Sequence, residues 1–85
     1  MANASGEMTL NQLKNGERGQ VTRVELSGTT KRRLIEMGIT PGVGIMVRKR
    51  APLGDPIEIM LRGYSLTLRA EDALHIFVKG EENEA

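Results

Sequence analysis

RLIEMGITPG at residues 33–42 and APLGDP at residues 51–56 are the segments that say most about how this chain folds. The first predicts the end of a short amphipathic helix, because Leu34 and Met37 lie one turn apart and Gly38 suits the left-handed end of a helix. The Pro-Gly pair that follows prevents the helix from resuming, and the second stretch predicts a tight turn. Neither stretch holds a catalytic nucleophile, paired acids or a cluster of metal ligands. We therefore interpret both as scaffold and expect the function to lie on a surface.

Alternating apolar residues around these stretches predict a small antiparallel β-barrel with one short inserted helix. The helix is expected over residues 30–37, after hydroxyl residues that can cap it. The spacing of Val21 and Val24 breaks strict alternation, which predicts a β-bulge in the first strand. In the last strand, Leu74 is expected to face the core together with Ile76. The five expected strands cover residues 20–26, 43–48, 57–62, 65–69 and 74–78.

Length and composition restrict the class of protein. A chain of 85 residues forms one domain with a thin core, which leaves little room for an enclosed active site. The chain has no cysteine, and its first residues lack the basic and apolar regions of a signal peptide. No apolar run approaches the roughly 18 residues that span a bilayer. We therefore expect a cytoplasmic protein.

The charges are distributed unevenly between the ends and the body of the chain. The folded domain is expected at residues 8–78, with polar, unstructured tails at residues 1–7 and 79–85. The formal net charge is only +1, yet residues 8–78 contain 11 basic and seven acidic residues. The folded body is therefore expected to be basic, and the acidic tails conceal this.

Four segments together carry a family pattern. They are LxxLKxGxxGxV at residues 10–21, RLxxMGIxPG at 33–42, APLGDP at 51–56 and LxLR at 66–69. In this order and spacing they resemble the FeoA family, and the match covers nearly all of the expected folded domain. The resemblance implies an SH3-like β-barrel with an inserted helix, which agrees with the strands expected from alternation.

The same resemblance implies a function. Members of this family are non-enzymatic cytosolic accessories of bacterial ferrous iron uptake, and the implied partner is the cytoplasmic GTPase region of the membrane transporter FeoB. A related SH3-like domain ends certain metal-dependent transcriptional regulators. The alternative function is therefore a metal-responsive regulatory or nucleic-acid-binding module, and salt-dependent binding to DNA or RNA would favour it.

Two basic clusters, at residues 31–33 and 48–50, are the candidate contact surfaces. Each can be a solvated surface that keeps a small domain soluble, or a patch that binds an acidic partner. The chain has only two aromatic residues and a modest net charge, which counts against a nucleic acid partner. The candidate partner-binding residues are Lys31, Arg32, Arg33, Arg48, Arg50 and Leu53.

Three apolar residues are also candidates for the surface. Leu53 lies at the tip of the second turn, where it either folds back onto the barrel or presents an apolar anchor to a partner. Met46 and Met60 are expected to face outward on consecutive strands and to lie close together. Methionine adapts to contact surfaces, although we expect the inserted helix to cover this pair.

The sequence indicates no cofactor, metal or catalytic site. His75 is the only histidine, alternation directs it outward on the last strand, and without cysteine it cannot build a structural zinc site. The acid pairs Asp55/Glu58 and Glu71/Asp72 lie beside turns, where acids commonly cap or solvate the backbone. No phosphate-binding loop of the G-x-x-x-x-G-K-[ST] type occurs. We therefore expect a protein that binds a partner rather than an enzyme.

Overall fold

The structure of the chain, a computed structural model, describes residues 6–80, which form one antiparallel sheet with short helices. The strands are β1 (Glu7–Thr9), β2 (Arg18–Val24), β3 (Gly44–Arg50), β4 (Ile57–Leu61), β5 (Tyr64–Leu68) and β6 (Ile76–Gly80), paired in the order β1-β6-β2-β3-β4-β5. The helical elements are a 3₁₀ turn (Leu10–Gln12), α1 (Gly28–Glu36) and α2 (Ala70–Ala73). The predicted mainly β fold class is confirmed. Residues 1–5 and 81–85, which make up most of the two predicted tails, lie outside the described residues.

The core is apolar throughout the part of the chain that the structure describes. Strand β4 shows the alternation most clearly, because Ile57, Ile59 and Leu61 are buried while the residues between them are half-buried. Helix α1 has only nine residues, too few to be stable alone. Its one buried side chain, Leu34, and Ile39 just after it are fully buried, and they hold the helix against the sheet.

Helix α1 ends in a Schellman motif. The N–H of Gly38 donates to the carbonyl of Ile35 (2.9 Å), and the N–H of Ile39 donates to the carbonyl of Leu34 (3.0 Å). Gly38 has a φ of +101°, as predicted for the residue that ends the helix. The hydroxyl of Tyr64, the first residue of β5, donates to the carbonyl of Met37 (2.6 Å) and so ties the helix end to the sheet.

A two-residue turn joins β4 to β5. Leu61 and Tyr64 are paired across the hairpin, which leaves Arg62 and Gly63 as the two turn residues. Both have positive φ, +52° and +86°, which is the signature of a type I′ turn. Such a turn favours asparagine or glycine at its first position, so an arginine there carries an energetic cost.

The N-terminal end contains a strand that alternation did not predict. Glu7, predicted to belong to a tail, begins β1, which pairs with β6. Its carboxylate accepts a hydrogen bond from the Thr22 hydroxyl (2.6 Å) and forms an ion pair with Arg23 (3.0 Å). The guanidinium of Arg23 also stacks on the Phe77 ring. Three residues are too few to show a periodicity, so β1 could not be predicted from alternation.

The predicted bulge in β2 is confirmed, because the register of β2 against β6 shifts between Val21 and Arg23.

The last strand begins two residues later than predicted and extends to Gly80. The expectation that Leu74 faces the core is wrong, since it is 48% exposed. The cause is the short helix α2, because it leaves Leu74 and His75 in a turn before β6. The first N–H of α2, that of Ala70, donates to the Asp55 carboxylate (2.9 Å). The helix α1 likewise starts and ends earlier than the predicted residues 30–37.

Candidate interaction surfaces

The first basic cluster, residues 31–33, lies on α1 and projects away from the core. Arg32 and Arg33 are exposed and Lys31 is half-buried, because the single buried residue of the helix, Leu34, fixes which side faces the sheet. Within residues 6–80 no hydrogen bond or ion pair involves these three side chains. Their charges are therefore available to a ligand from outside the domain.

The second basic cluster, residues 48–50, is largely occupied by contacts within the chain. The guanidinium of Arg50 turns toward the 3₁₀ turn, where Nη2 donates to the carbonyls of Asn11 (2.7 Å) and Leu13, and Nη1 donates to Oδ1 of Asn11 (3.3 Å). Arg48 and Lys49 both approach the carboxylate of Glu58, at 3.5 Å and 4.0 Å. Arg50 is half-buried and joins the end of β3 to the 3₁₀ turn, so its guanidinium, unlike those of Arg32 and Arg33, is engaged within the domain.

The turn between β3 and β4 presents Leu53 to solvent. The side chain is 96% exposed, so it does not fold back onto the barrel. The N–H of Gly54 donates to the carbonyl of Ala51 (2.7 Å), the N–H of Ala51 donates to the carbonyl of Pro56 (3.0 Å), and the bond between Asp55 and Pro56 is cis. Of the two alternatives for Leu53, the structure supports an exposed apolar tip.

A groove on the outer face of the sheet was not recognised in the sequence. It has a volume of about 270 Å³ and lies over β3 and β4, between Arg18 and Arg62. Met46 and Met60 are directly paired across β3 and β4, as expected, and both line the groove. Cover by α1 is not found, because the helix contributes no lining residue. Alternation indicated that the two methionines face outward. It could not indicate Arg18 and Arg62, because they lie on β2 and in the turn after β4, which only the strand pairing brings to the same groove.

His75 lies in the turn before β6 and not on the strand where alternation placed it. It is exposed, and its main-chain carbonyl accepts a hydrogen bond from the N–H of Glu25 (2.8 Å). Over residues 6–80 no three side chains among His, Asp and Glu come together in a way that could hold a metal ion. In the same range, no helix has the length and apolar character needed to cross a membrane.

Comparison with known proteins gives consistent results. The family model of the FeoA domain matches residues 8–80. A fusion protein of Porphyromonas gingivalis, named Fe(2+) transport protein A/Fe(2+) transporter FeoB, is 39% identical over 72 residues, which cover 85% of this chain and only 8% of that protein. The FeoA structure from Chlorobium tepidum is 38% identical with a TM-score of 0.85, covering 92% of this chain and 74% of that one.

A third relative bears on the fold class. The FeoA of Stenotrophomonas maltophilia, solved in complex with zinc and described as a prokaryotic SH3 domain protein, is 25% identical with a TM-score of 0.73. The match covers 85% of this chain and 89% of that chain. The expected SH3-like barrel is thereby confirmed.

Proposed function

Since the chain belongs to the FeoA family, which is involved in ferrous iron transport, we propose that it is a non-enzymatic cytoplasmic accessory protein that binds the GTPase region of a FeoB transporter. The observation that carries this proposal is the fusion relative, in which a homologous domain and FeoB form one polypeptide. Covalent linkage keeps two domains at a high effective concentration. A separate domain needs a contact surface of its own to reach the same proximity.

The basic side of α1 is the surface best suited to this contact. Lys31, Arg32 and Arg33 have no partner among residues 6–80, and a helix held by Leu34 presents them in a fixed arrangement. Arginine is enriched at protein interfaces because its planar guanidinium binds carboxylates in a bidentate manner. The proposal therefore requires an acidic patch on the partner, which this surface would approach by electrostatic steering.

Leu53 supplies the apolar part of the proposed contact. A fully exposed leucine at a loop tip can enter a partner's pocket and anchor the complex, while charged residues at the rim fix its register. Arg48 lies in the strand that leads into this loop and retains partial exposure, so it is included in the contact. Arg50 contributes only indirectly, because its guanidinium is bound to the domain's own main chain.

The test is a calorimetric titration of this chain with the purified cytoplasmic region of FeoB, in nucleotide-free form, with GDP and with a non-hydrolysable GTP analogue. Saturable binding in at least one state is expected, and a change in GTP hydrolysis on addition of the chain would identify modulation. A folded chain that binds in none of the three states would overturn the proposal.

Charge-reversal variants locate the contact. Arg32→Glu together with Arg33→Glu should weaken binding about tenfold or more at low salt. Lys14→Glu together with Lys79→Glu is the matched control, because it makes the same charge change at exposed positions outside α1 and outside the turn that carries Leu53. Leu53→Ser should increase the dissociation rate. Equal losses from both charge pairs would show a nonspecific effect of net charge and not a contact on α1.

A further inference from the structure

The outer groove follows a row of cross-strand neighbours on the sheet. The pairing register places Arg18 of β2 opposite Met46 of β3, Met46 opposite Met60 of β4, and Met60 opposite Ser65 of β5. The two methionines are half-buried and form the apolar floor. Gly44 also lines the groove and, lacking a side chain, leaves it open on β3.

Two arginines give this apolar floor a positive rim. Arg18 and Arg62 are exposed and line the groove, and no hydrogen bond or ion pair involves either side chain within residues 6–80. No acidic residue lines the groove. Arg23 and Arg48 have carboxylate partners and Arg50 donates to main-chain carbonyls, whereas Arg18 and Arg62 have no such contacts. Arg48 also donates to the sulfur of Met60 (3.7 Å) from outside the groove lining.

The backbone at Arg62 is an independent indication of function. Arg62 has a φ of +52°, in the left-handed region where residues other than glycine, asparagine and aspartate are uncommon. The turn would form more easily with asparagine or glycine at this position. A residue that the local conformation disfavours is expected where its side chain is needed. Here that side chain is a cation at the rim of an apolar groove.

We propose that this groove binds an extended peptide segment of a partner protein, with a large apolar side chain flanked by carboxylates. The apolar side chain contacts Met46 and Met60, whose flexible thioethers adapt to varied shapes. The carboxylates on either side reach the guanidinium groups of Arg18 and Arg62. This surface is distinct from α1 and Leu53, so the inference does not depend on binding to FeoB.

Methionine methyl signals in NMR provide a direct test. The probe is the synthetic peptide Gly-Asp-Glu-Leu-Glu-Asp-Gly, added to the full chain labelled with ¹³C at the methionine methyl groups. The signals of Met46 and Met60, assigned with Met46→Leu and Met60→Leu variants, should shift in a saturable manner. Those of Met8 and Met37, which lie outside the groove, should stay in place.

Two control peptides separate the parts of the proposed recognition. Replacing the central leucine with serine should remove the shifts of the groove methionines, because the apolar contact is lost. Replacing the four acids with lysine should do the same, because the rim is positive. If the lysine peptide shifts the methionine signals as strongly as the acidic peptide, the proposed charge complementarity is wrong.

Variants at the rim distinguish binding from folding. Arg18→Glu and Arg62→Glu should each weaken the peptide affinity about fivefold or more. Arg62→Gly should weaken it as well while raising the melting temperature, since glycine suits the positive φ. Lys14→Glu with Arg69→Glu is the control and should leave the affinity close to its original value. Full affinity in Arg62→Gly and Arg18→Glu would overturn the assignment.

Other occupants predict different results. A second copy of this chain would shift the Met46 and Met60 signals with protein concentration alone, and Leu53→Ser would abolish that shift if the exposed loop were the occupant. The chain's own acidic residues Glu81, Glu82 and Glu84 would be indicated if deleting residues 81–85 moved the same two signals without peptide. Either result, or no shift at millimolar peptide, would overturn the proposal of a partner segment.

Discussion

The two basic clusters each contain three cations in succession, yet the structure uses them in opposite ways. Residues 31–33 lie on a helix whose single buried residue is Leu34, so Arg32 and Arg33 are exposed, Lys31 is half-buried, and none of the three side chains has a partner within residues 6–80. Residues 48–50 end a strand, where Arg50 turns back to the 3₁₀ turn and binds carbonyls of Asn11 and Leu13. The secondary structure around a cation, and not the local density of charge, therefore decides whether the cation is available to a partner.

The need for Arg50 follows from the shortness of the 3₁₀ turn. The turn has three residues and leaves carbonyl groups at its end without partners in the helix. A guanidinium offers several donors in one plane and can satisfy more than one carbonyl at once. Arg50 therefore acts as a capping group that joins β3 to the N-terminal segment.

The largest effect is expected from Arg50→Ala. Loss of charged hydrogen bonds to partly buried carbonyls should lower the free energy of unfolding by about 2–3 kcal/mol. Urea unfolding followed by circular dichroism measures this value. Arg50→Lys is the control for charge, because a single ammonium cannot reproduce the forked geometry and should recover only part of the loss. Full recovery by lysine would show that charge, and not the fork, is what matters.

A smaller effect of opposite sign is expected from Arg62→Gly. The turn requires positive φ, which glycine adopts freely, so the free energy of unfolding should rise by about 1 kcal/mol. Thermal unfolding measures it, and Arg62→Ala is the control, since alanine removes the charge but keeps the strain. A gain in Arg62→Ala equal to that in Arg62→Gly would assign the effect to charge instead of conformation.

Much of the fold could be predicted because local chemistry determines it. Gly38 follows α1 with the positive φ predicted for it, although the helix itself ends one residue earlier than predicted, and the alternation in β4 buries the predicted residues. The exposure of Leu74 could not be predicted, because α2 is fixed at its first N–H by the carboxylate of Asp55, 15 residues earlier. A contact across that distance leaves no trace in local periodicity.

The candidate surfaces were predictable only in part, for a related reason. Alternation indicated that Met46 and Met60 face outward, but the pairing of Arg18 with Met46 depends on a register between β2 and β3 that no short pattern encodes. Likewise, nothing near Arg50 in sequence indicates its carbonyl partners, which lie 37 and 39 residues away. A cluster of charged residues is visible in a sequence, whereas the tertiary structure decides whether each of these charges already has a partner within the domain.

Arg48→Ala should have little effect, although Arg48 lies two residues from Arg50 on the same strand. Its side chain is 54% exposed, and its ion pair with Glu58 is long at 3.5 Å. Exposed pairs of this kind contribute about 0–1 kcal/mol, and Lys49 still approaches the same carboxylate. We expect a loss below about 0.5 kcal/mol in urea unfolding. A loss similar to that of Arg50→Ala would contradict the division within this cluster.

The smallest change in stability is expected when Arg32 and Arg33 are both replaced by alanine. Alanine is the better helix former, which offsets the favourable interaction of Arg33 with the carbonyl end of α1. The free energy of unfolding should therefore change by less than about 0.5 kcal/mol. A loss above that of Arg48→Ala would mean that the helix cations stabilise the fold, and the contrast between the clusters would fail. If stability is unchanged while affinity for the cytoplasmic region of FeoB falls, the charge on α1 is used for recognition and the charge of Arg50 for folding.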